Sequence, residues 1–233
     1  MSEQPKIISL RVILQLIFFV IIVPSLPLLI SRRWDWQQAW FYALLTILGF
    51  IISRRLAARR HPDLIAERAR FMQQEDAKAW DKSLVLLISL FNLLVMVVAG
   101  LDKLYSWSSP IFSLAATLLA ALLVLAGYLY SSWAIIENRF FSGMARLQSE
   151  RGHQVISSGP YRWVRHPGYA GGLLTMLATP VLLGSAWAIL PTLLLALVML
   201  RRTQLEDRFL QAELAGYREY AQQVRYRLLP GVW

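Results

Sequence analysis

The strongest constraint on this chain is a set of long stretches without a single Asp, Glu, Lys or Arg: Val12 to Ser31, Trp36 to Ser53, Leu84 to Leu101, Ile111 to Ile136 and His166 to Leu200. A helix rises about 1.5 Å per residue and the hydrocarbon core of a bilayer is about 30 Å thick, so each stretch is long enough to cross. The first four read as single spans. The first is longer than the apolar part of a secretion signal, holds Pro24 and Pro27 and lacks a small-residue cleavage site, so it too reads as a span. Composition agrees: of 233 residues 57% are hydrophobic and 16% charged, with a mean hydropathy of +0.47. The absence of cysteine excludes disulfides, thiolate metal sites and thiol nucleophiles.

The fifth stretch would overshoot the bilayer as one helix, and Thr179-Pro180, Gly184-Ser185 and Pro191 punctuate it. Gly172 to Leu183 and Ala186 to Leu200 therefore read as two short arms of a re-entrant or tightly turned hairpin. The distribution of basic residues supports this. With the N-terminus and the C-terminal segment on the cytoplasmic side, 21 of the 24 Lys and Arg lie inside, leaving Arg32, Arg33 and Lys103 outside. The net charge of +10 therefore follows membrane sidedness and calls for no nucleic-acid partner. The expected fold is all-α: a polytopic membrane helix bundle of about four spans, a C-terminal helical hairpin and a catalytic segment on the cytosolic face. Residues 1–137 form the transmembrane region, with a basic cytoplasmic loop at 54–83. Residues 138–233 form the catalytic region, including the membrane hairpin at 172–200. Within the loop, Pro62 to Gln74 reads as an amphipathic helix resting on lipid headgroups, with no chemistry assigned to it.

The stretch from Arg139 to Tyr169 is polar, glycine-rich and aromatic between two apolar blocks. Ser157-Ser158-Gly159-Pro160 signals a turn, and Pro167 suits the first position of a helix whose free N–H groups can receive an anion or a ring nitrogen. Beyond the hairpin, Arg202 and Glu206 fall one helical turn apart and can pair. Folding the hairpin brings them beside Tyr161, His166 and Tyr169. Trp163 fits an aromatic belt, and Tyr217, Tyr220 and Val224 with Leu210 and Leu214 form a packing stripe. Three scattered histidines without cysteine argue against a metal enzyme, and no G-x-G-x-x-G follows a strand.

Gly159-Pro160-Tyr161, Arg165-His166-Pro167-Gly168-Tyr169, Arg202 with Glu206-Asp207, and Tyr217, Tyr220 and Arg227 together resemble the isoprenylcysteine carboxyl methyltransferase family of integral membrane enzymes. The family pattern has two glutamates where this chain has Glu206-Asp207. The resemblance implies S-adenosyl-L-methionine as methyl donor in a cytosol-facing pocket, and a lipophilic acceptor entering from the bilayer. It implies that His153, Gln154, Val155 and Ile156 form a strand-like edge against the cofactor, that Tyr161, His166, Pro167, Gly168 and Tyr169 surround it, that Glu206 binds it and that Arg202 holds the acceptor carboxylate. Localisation follows: the inner membrane of a bacterium or the endoplasmic reticulum of a eukaryote. Thiol S-methylation, phospholipid N-methylation and non-catalytic ligand sensing are the alternatives on the same scaffold.

Overall fold

A computed structural model describes residues 10–69, 77–108 and 112–233. The described residues are helical, with no β-strand among them. The first span is a continuous helical rod made of α1 (Leu10–Leu16), a π-helical stretch (Ile17–Ile22) and α2 (Val23–Ser31). Then come α3 (Gln37–Arg60), α4 (Pro62–Ala69), α5 (Ala79–Tyr105) and α6 (Leu114–Glu137), followed by α7 (Pro167–Leu182), α8 (Ile189–Glu213) and α9 (Tyr217–Gln223). Ile13–Ser31, α3, α5 and α6 are each long and apolar enough to cross a membrane, and most of their large side chains face outward. That distribution suits a bundle whose outer solvent is lipid. The protein is a polytopic helical membrane bundle.

The hairpin is tightly turned, but its arms are not short. Arg202 on α8 pairs with Asp81 near the start of α5. At the turn, Ser185 donates to Asp102 near the end of α5, at 2.5 Å, and Ser108 donates to the same carboxylate at 2.7 Å. Asp81 and Asp102 are about 30 Å apart along α5 at 1.5 Å per residue, so the hairpin crosses the full thickness of the bundle. The re-entrant reading is thereby corrected. Pro191 sits in the first turn of α8, where a missing N–H breaks nothing, and Pro180 lies inside α7 near its end, where it removes a single backbone bond; α7 begins before and α8 ends beyond the expected bounds. Gly184, with φ of 65°, makes the reversal.

Helices α6 and α7 cross most closely where Gly127 meets Gly171. A Cβ on Gly127 would lie 2.5 Å from the Gly171 carbonyl oxygen, and Gly171 is equally tight against Gly127. Small residues let two backbones touch, the usual basis of packing where lipid removes the hydrophobic drive between helices. The contact aims the start of α7, since Ser131 on α6 donates to the Gly168 carbonyl at 2.8 Å.

The expected headgroup helix turns out to face protein. In α4, Leu64 is fully buried with Ala57 and Ile135, Asp63 pairs with Arg139 and Arg151, and Glu67 pairs with Arg146. The amphipathic pattern was real, but its face covers the loop that follows α6. Residues 70–74 of the expected helix lie outside the described residues.

Gly127→Val should drive α6 from α7 and cost about 1–3 kcal/mol, the range for overpacking. Thermal denaturation in detergent should show the loss, whereas Gly172→Ala, where an added Cβ meets nothing within 4 Å, should melt like the parent.

Candidate active site

Two buried carboxylates organise the end of the bundle where α7 begins and α8 ends. Asp207, fully buried on α8, accepts from Arg165 at 2.7 and 3.0 Å, Arg227 at 2.8 Å, Gln211 at 2.8 Å and Tyr217 at 3.2 Å, with His166 Nε2 at 3.3 Å. Burial opposes its charge, but the hydrogen bonds from His166, Arg165 and Arg227 outweigh that and hold the carboxyl far below the usual carboxylate range. The acid whose shortness set it apart from the family pattern therefore ties the segment before α7 to α8 and to the chain after α9. Backbone bonds from Arg165 to Tyr226 and from His166 to Arg227 complete the tie, each at 2.9 Å.

Asp81, also fully buried, holds Arg202 by two parallel bonds of 2.7 and 3.0 Å and accepts from the Ala145 N–H at 2.6 Å. It lies in the first turn of α5, where the helix dipole favours negative charge. The expected Arg202–Glu206 pair is absent. The fork of Arg202 grips Asp81, while Glu206 accepts from the Tyr169 hydroxyl at 2.5 Å. Arg202 lies 5.2 Å from the Tyr169 ring centroid, and His166 stacks on the same ring at 5.7 Å with the planes 1° apart.

Between these ties lies an open cleft with a cavity volume of about 90 Å³. Its walls include His153, Gln154, Val155, Ile156, Tyr161, His166, Gly168, Tyr169 and Glu206, which the helices and loops bring together from separate parts of the chain. Pro167 and Arg202 do not line it: Pro167 is buried as the first residue of α7, and Arg202 is turned to Asp81. The expected strand-like edge has no strand partner. Residues 153–156 are irregular, and the main-chain N–H groups of Gln154, Val155 and Ile156 make no hydrogen bond among the described residues. An unpaired edge of this kind can serve a ligand as a strand would. Glu206 Oε1 likewise has no partner there, since the tyrosine bond uses Oε2.

Sequence reasoning missed the wall formed by Asn138, Phe140, Phe141, Ser142, Met144 and Arg146, and the helical face bearing Phe209 and Leu210. Counting three and four positions on from Glu206 would have found the latter. Nothing local announced the former, which α4 and Asp81 hold in place from far away in sequence. Tyr217 and Tyr220 pack as expected with Leu214, but they also wall the cleft, and Tyr220 donates to the Tyr161 carbonyl at 2.6 Å. Trp163 stands exposed against Trp133 at 5.5 Å, as a belt residue would. No cluster of three or more potential metal ligands occurs among the described residues.

His153 packs against Phe140 with ring centroids 4.7 Å apart and planes tilted by 31°, and its Nδ1 accepts from the Gln148 N–H at 3.3 Å. Burial, then the charges of Arg151 and Arg146, depress it to about 4 from its ordinary 6.5. The unfolded chain thus takes up this proton at a higher pH than the folded one, and the histidine's share of stability is lost as pH falls from about 6.5 through 4. His153→Asn should flatten the acid side of the melting-temperature profile over that window. Asp207→Asn should cost about 3–5 kcal/mol, because it leaves buried arginines without their counter-charge, visible as a large fall in melting temperature.

Residues 118–212 match the model of the isoprenylcysteine carboxyl methyltransferase family. A probable protein-S-isoprenylcysteine O-methyltransferase of Oryza sativa subsp. indica is 33% identical over 105 residues, 44% of this chain and 55% of that protein. The protein-S-isoprenylcysteine O-methyltransferase of Schizosaccharomyces pombe is 35% identical over 89 residues, 38% and 36% of the two chains. The lamin-B receptor of Drosophila melanogaster is 30% identical over 136 residues, 54% of this chain and 18% of that one. The chain thus spans about half or less of these relatives' lengths. The matched stretch, residues 118–212, carries much of the cleft and is similar to the isoprenylcysteine carboxyl methyltransferase family.

Proposed function

We propose that the protein is a membrane-embedded, S-adenosyl-L-methionine-dependent methyltransferase that converts the carboxylate of a lipophilic, isoprenylcysteine-like acceptor into a methyl ester. The observation carrying this reading is the cleft in which Glu206, the stacked His166–Tyr169 pair and the unbonded edge at 154–156 meet within the stretch that matches the family. The residues fit the donor. The free Oε1 of Glu206 can receive a cationic or hydroxyl group, the edge offers N–H and C=O groups to a base or an amino-acid moiety, and the aromatic faces suit a sulfonium. When bound, S-adenosylmethionine supplies a methyl carbon that a carboxylate oxygen can attack directly, the C–S bonding pair staying on sulfur, so that no general base is required.

The protein's part is then to position. An acceptor carboxylate, with an ordinary pKa near 4, is already ionised at neutral pH, and correct alignment supplies several kcal/mol of the barrier reduction. Asp207 fixes the walls. Asp81 locks Arg202 against Tyr169, so that this arginine orients the ring that walls the cleft. By the basic-residue count the cleft faces the cytoplasm, and the acceptor enters laterally from the bilayer.

Detergent-purified protein incubated with methyl-labelled S-adenosylmethionine and N-acetyl-S-farnesylcysteine should yield label that is released by mild base, as an ester requires. Base-stable label would transfer the chemistry to a thiol or amine acceptor. Glu206→Ala should weaken donor binding by roughly tenfold or more in calorimetry, the loss expected for a hydrogen bond to a charged group; unchanged affinity removes Glu206 from the donor site.

A further inference from the structure

Arg54 stands in α3 between the bilayer-crossing stretch and the basic helix end. Its Nη1 is buried with no hydrogen-bond partner among the described residues, and its guanidinium carbon lies 4.8 Å from the Phe50 ring centroid. It lines a second cavity, of about 250 Å³, bounded by residues of α3, α5, α6, α7 and α8. The lining surface is mostly apolar, with Val95, Met96 and Leu195 among its walls, but the polar side chains of Ser53, Asn92, Ser131, Ser132, Thr175 and Thr179 also border it. A buried guanidinium lacking a counter-charge at such a depth is expensive and calls for an anion.

Arg68 of α4 is a second cation without a carboxylate. It donates to the carbonyls of Phe141 and Ser142, at 3.0 and 3.3 Å, two residues that wall the first cleft. Burial, then the repulsion of Arg54 and Arg202, brings it down to about 9, still charged at neutral pH. Arg202 is answered by Asp81, and Glu206, the other acid acting on Arg202, is bonded to Tyr169. Of these three guanidinium groups only Arg202 has a carboxylate partner among the described residues. The cavities follow one another along α7: Gly168 and Tyr169 border the first, and Gly172 and Thr175, one turn on, the second.

We propose that Arg54, assisted by Arg68, binds the carboxylate of the methyl acceptor while the acceptor's apolar chain fills the second cavity. This rests on the acceptor reading above and moves the main anion contact from Arg202 to the end of α3. Arg202, committed to Asp81, orients the Tyr169 ring. A carboxylate is favoured over a lipid phosphate because the lining surface is largely apolar and neither Arg54 nor Arg68 has a carboxylate partner among the described residues.

The test measures binding of N-acetyl-S-farnesylcysteine, its carboxamide and farnesyl phosphate to the full chain in detergent by tryptophan fluorescence, with donor affinity measured alongside. The parent should bind the carboxylate at least roughly tenfold tighter than the carboxamide. Arg54→Gln should bring that ratio to within about twofold, leaving carboxamide and donor affinities unchanged, and Arg54→Lys should restore part of it. Should Arg54→Gln fail to fold, Arg68→Gln must lower the ratio at least threefold. A ratio preserved in Arg54→Gln, or an equal loss for acid and amide, overturns the proposal, as does a parent that prefers the phosphate. A parent that binds the donor but neither farnesylcysteine compound overturns the acceptor reading itself, and this proposal with it.

Discussion

Everything at the cleft-bearing end of the bundle depends on placing two carboxylates where water cannot reach them. Asp207 and Asp81 are fully buried, and a lone charge so placed would be prohibitive, so each must be surrounded by donors. The donors come from distant parts of the chain. Asp207 gathers Arg165, Tyr217 and Arg227, and Asp81 gathers Arg202 and the Ala145 N–H. The need to satisfy each acid defines the shape of the cleft, because the satisfying groups are its walls or stand directly behind them.

The membrane-spanning part makes those meetings possible. Gly127 and Gly171 bring α6 and α7 to backbone contact, and Asp102 anchors the hairpin turn through Ser185 and Ser108. With the turn fixed at one end of α5 and Arg202 at the other, α8 has little freedom to slide. Glu206 is therefore delivered to Tyr169 by a rigid rod, which suits a reaction whose main demand is alignment.

The loop after α6 carries little regular structure and would be costly to order alone. Helix α4 holds it through Asp63, Glu67 and Arg68, and α5 holds it through Asp81. A segment whose sequence reads as a surface helix thus braces the wall of the pocket from behind.

Hydropathy fixed the spans, the hairpin and the nearness of Glu206 to Tyr169, because burial of apolar length in lipid is a local property that a linear pattern records. The helical step likewise marked Arg202 and Glu206 as neighbours. It could not say whom Arg202 holds, since Asp81 lies 121 positions away and competes for the same fork. Nor could it distinguish a helix face on lipid from one on protein, as α4 shows, or announce that Asp207 would be the hub. Those outcomes were set by which charges must be neutralised together once the helices are packed, and that is a property of the assembled volume rather than of any stretch of chain.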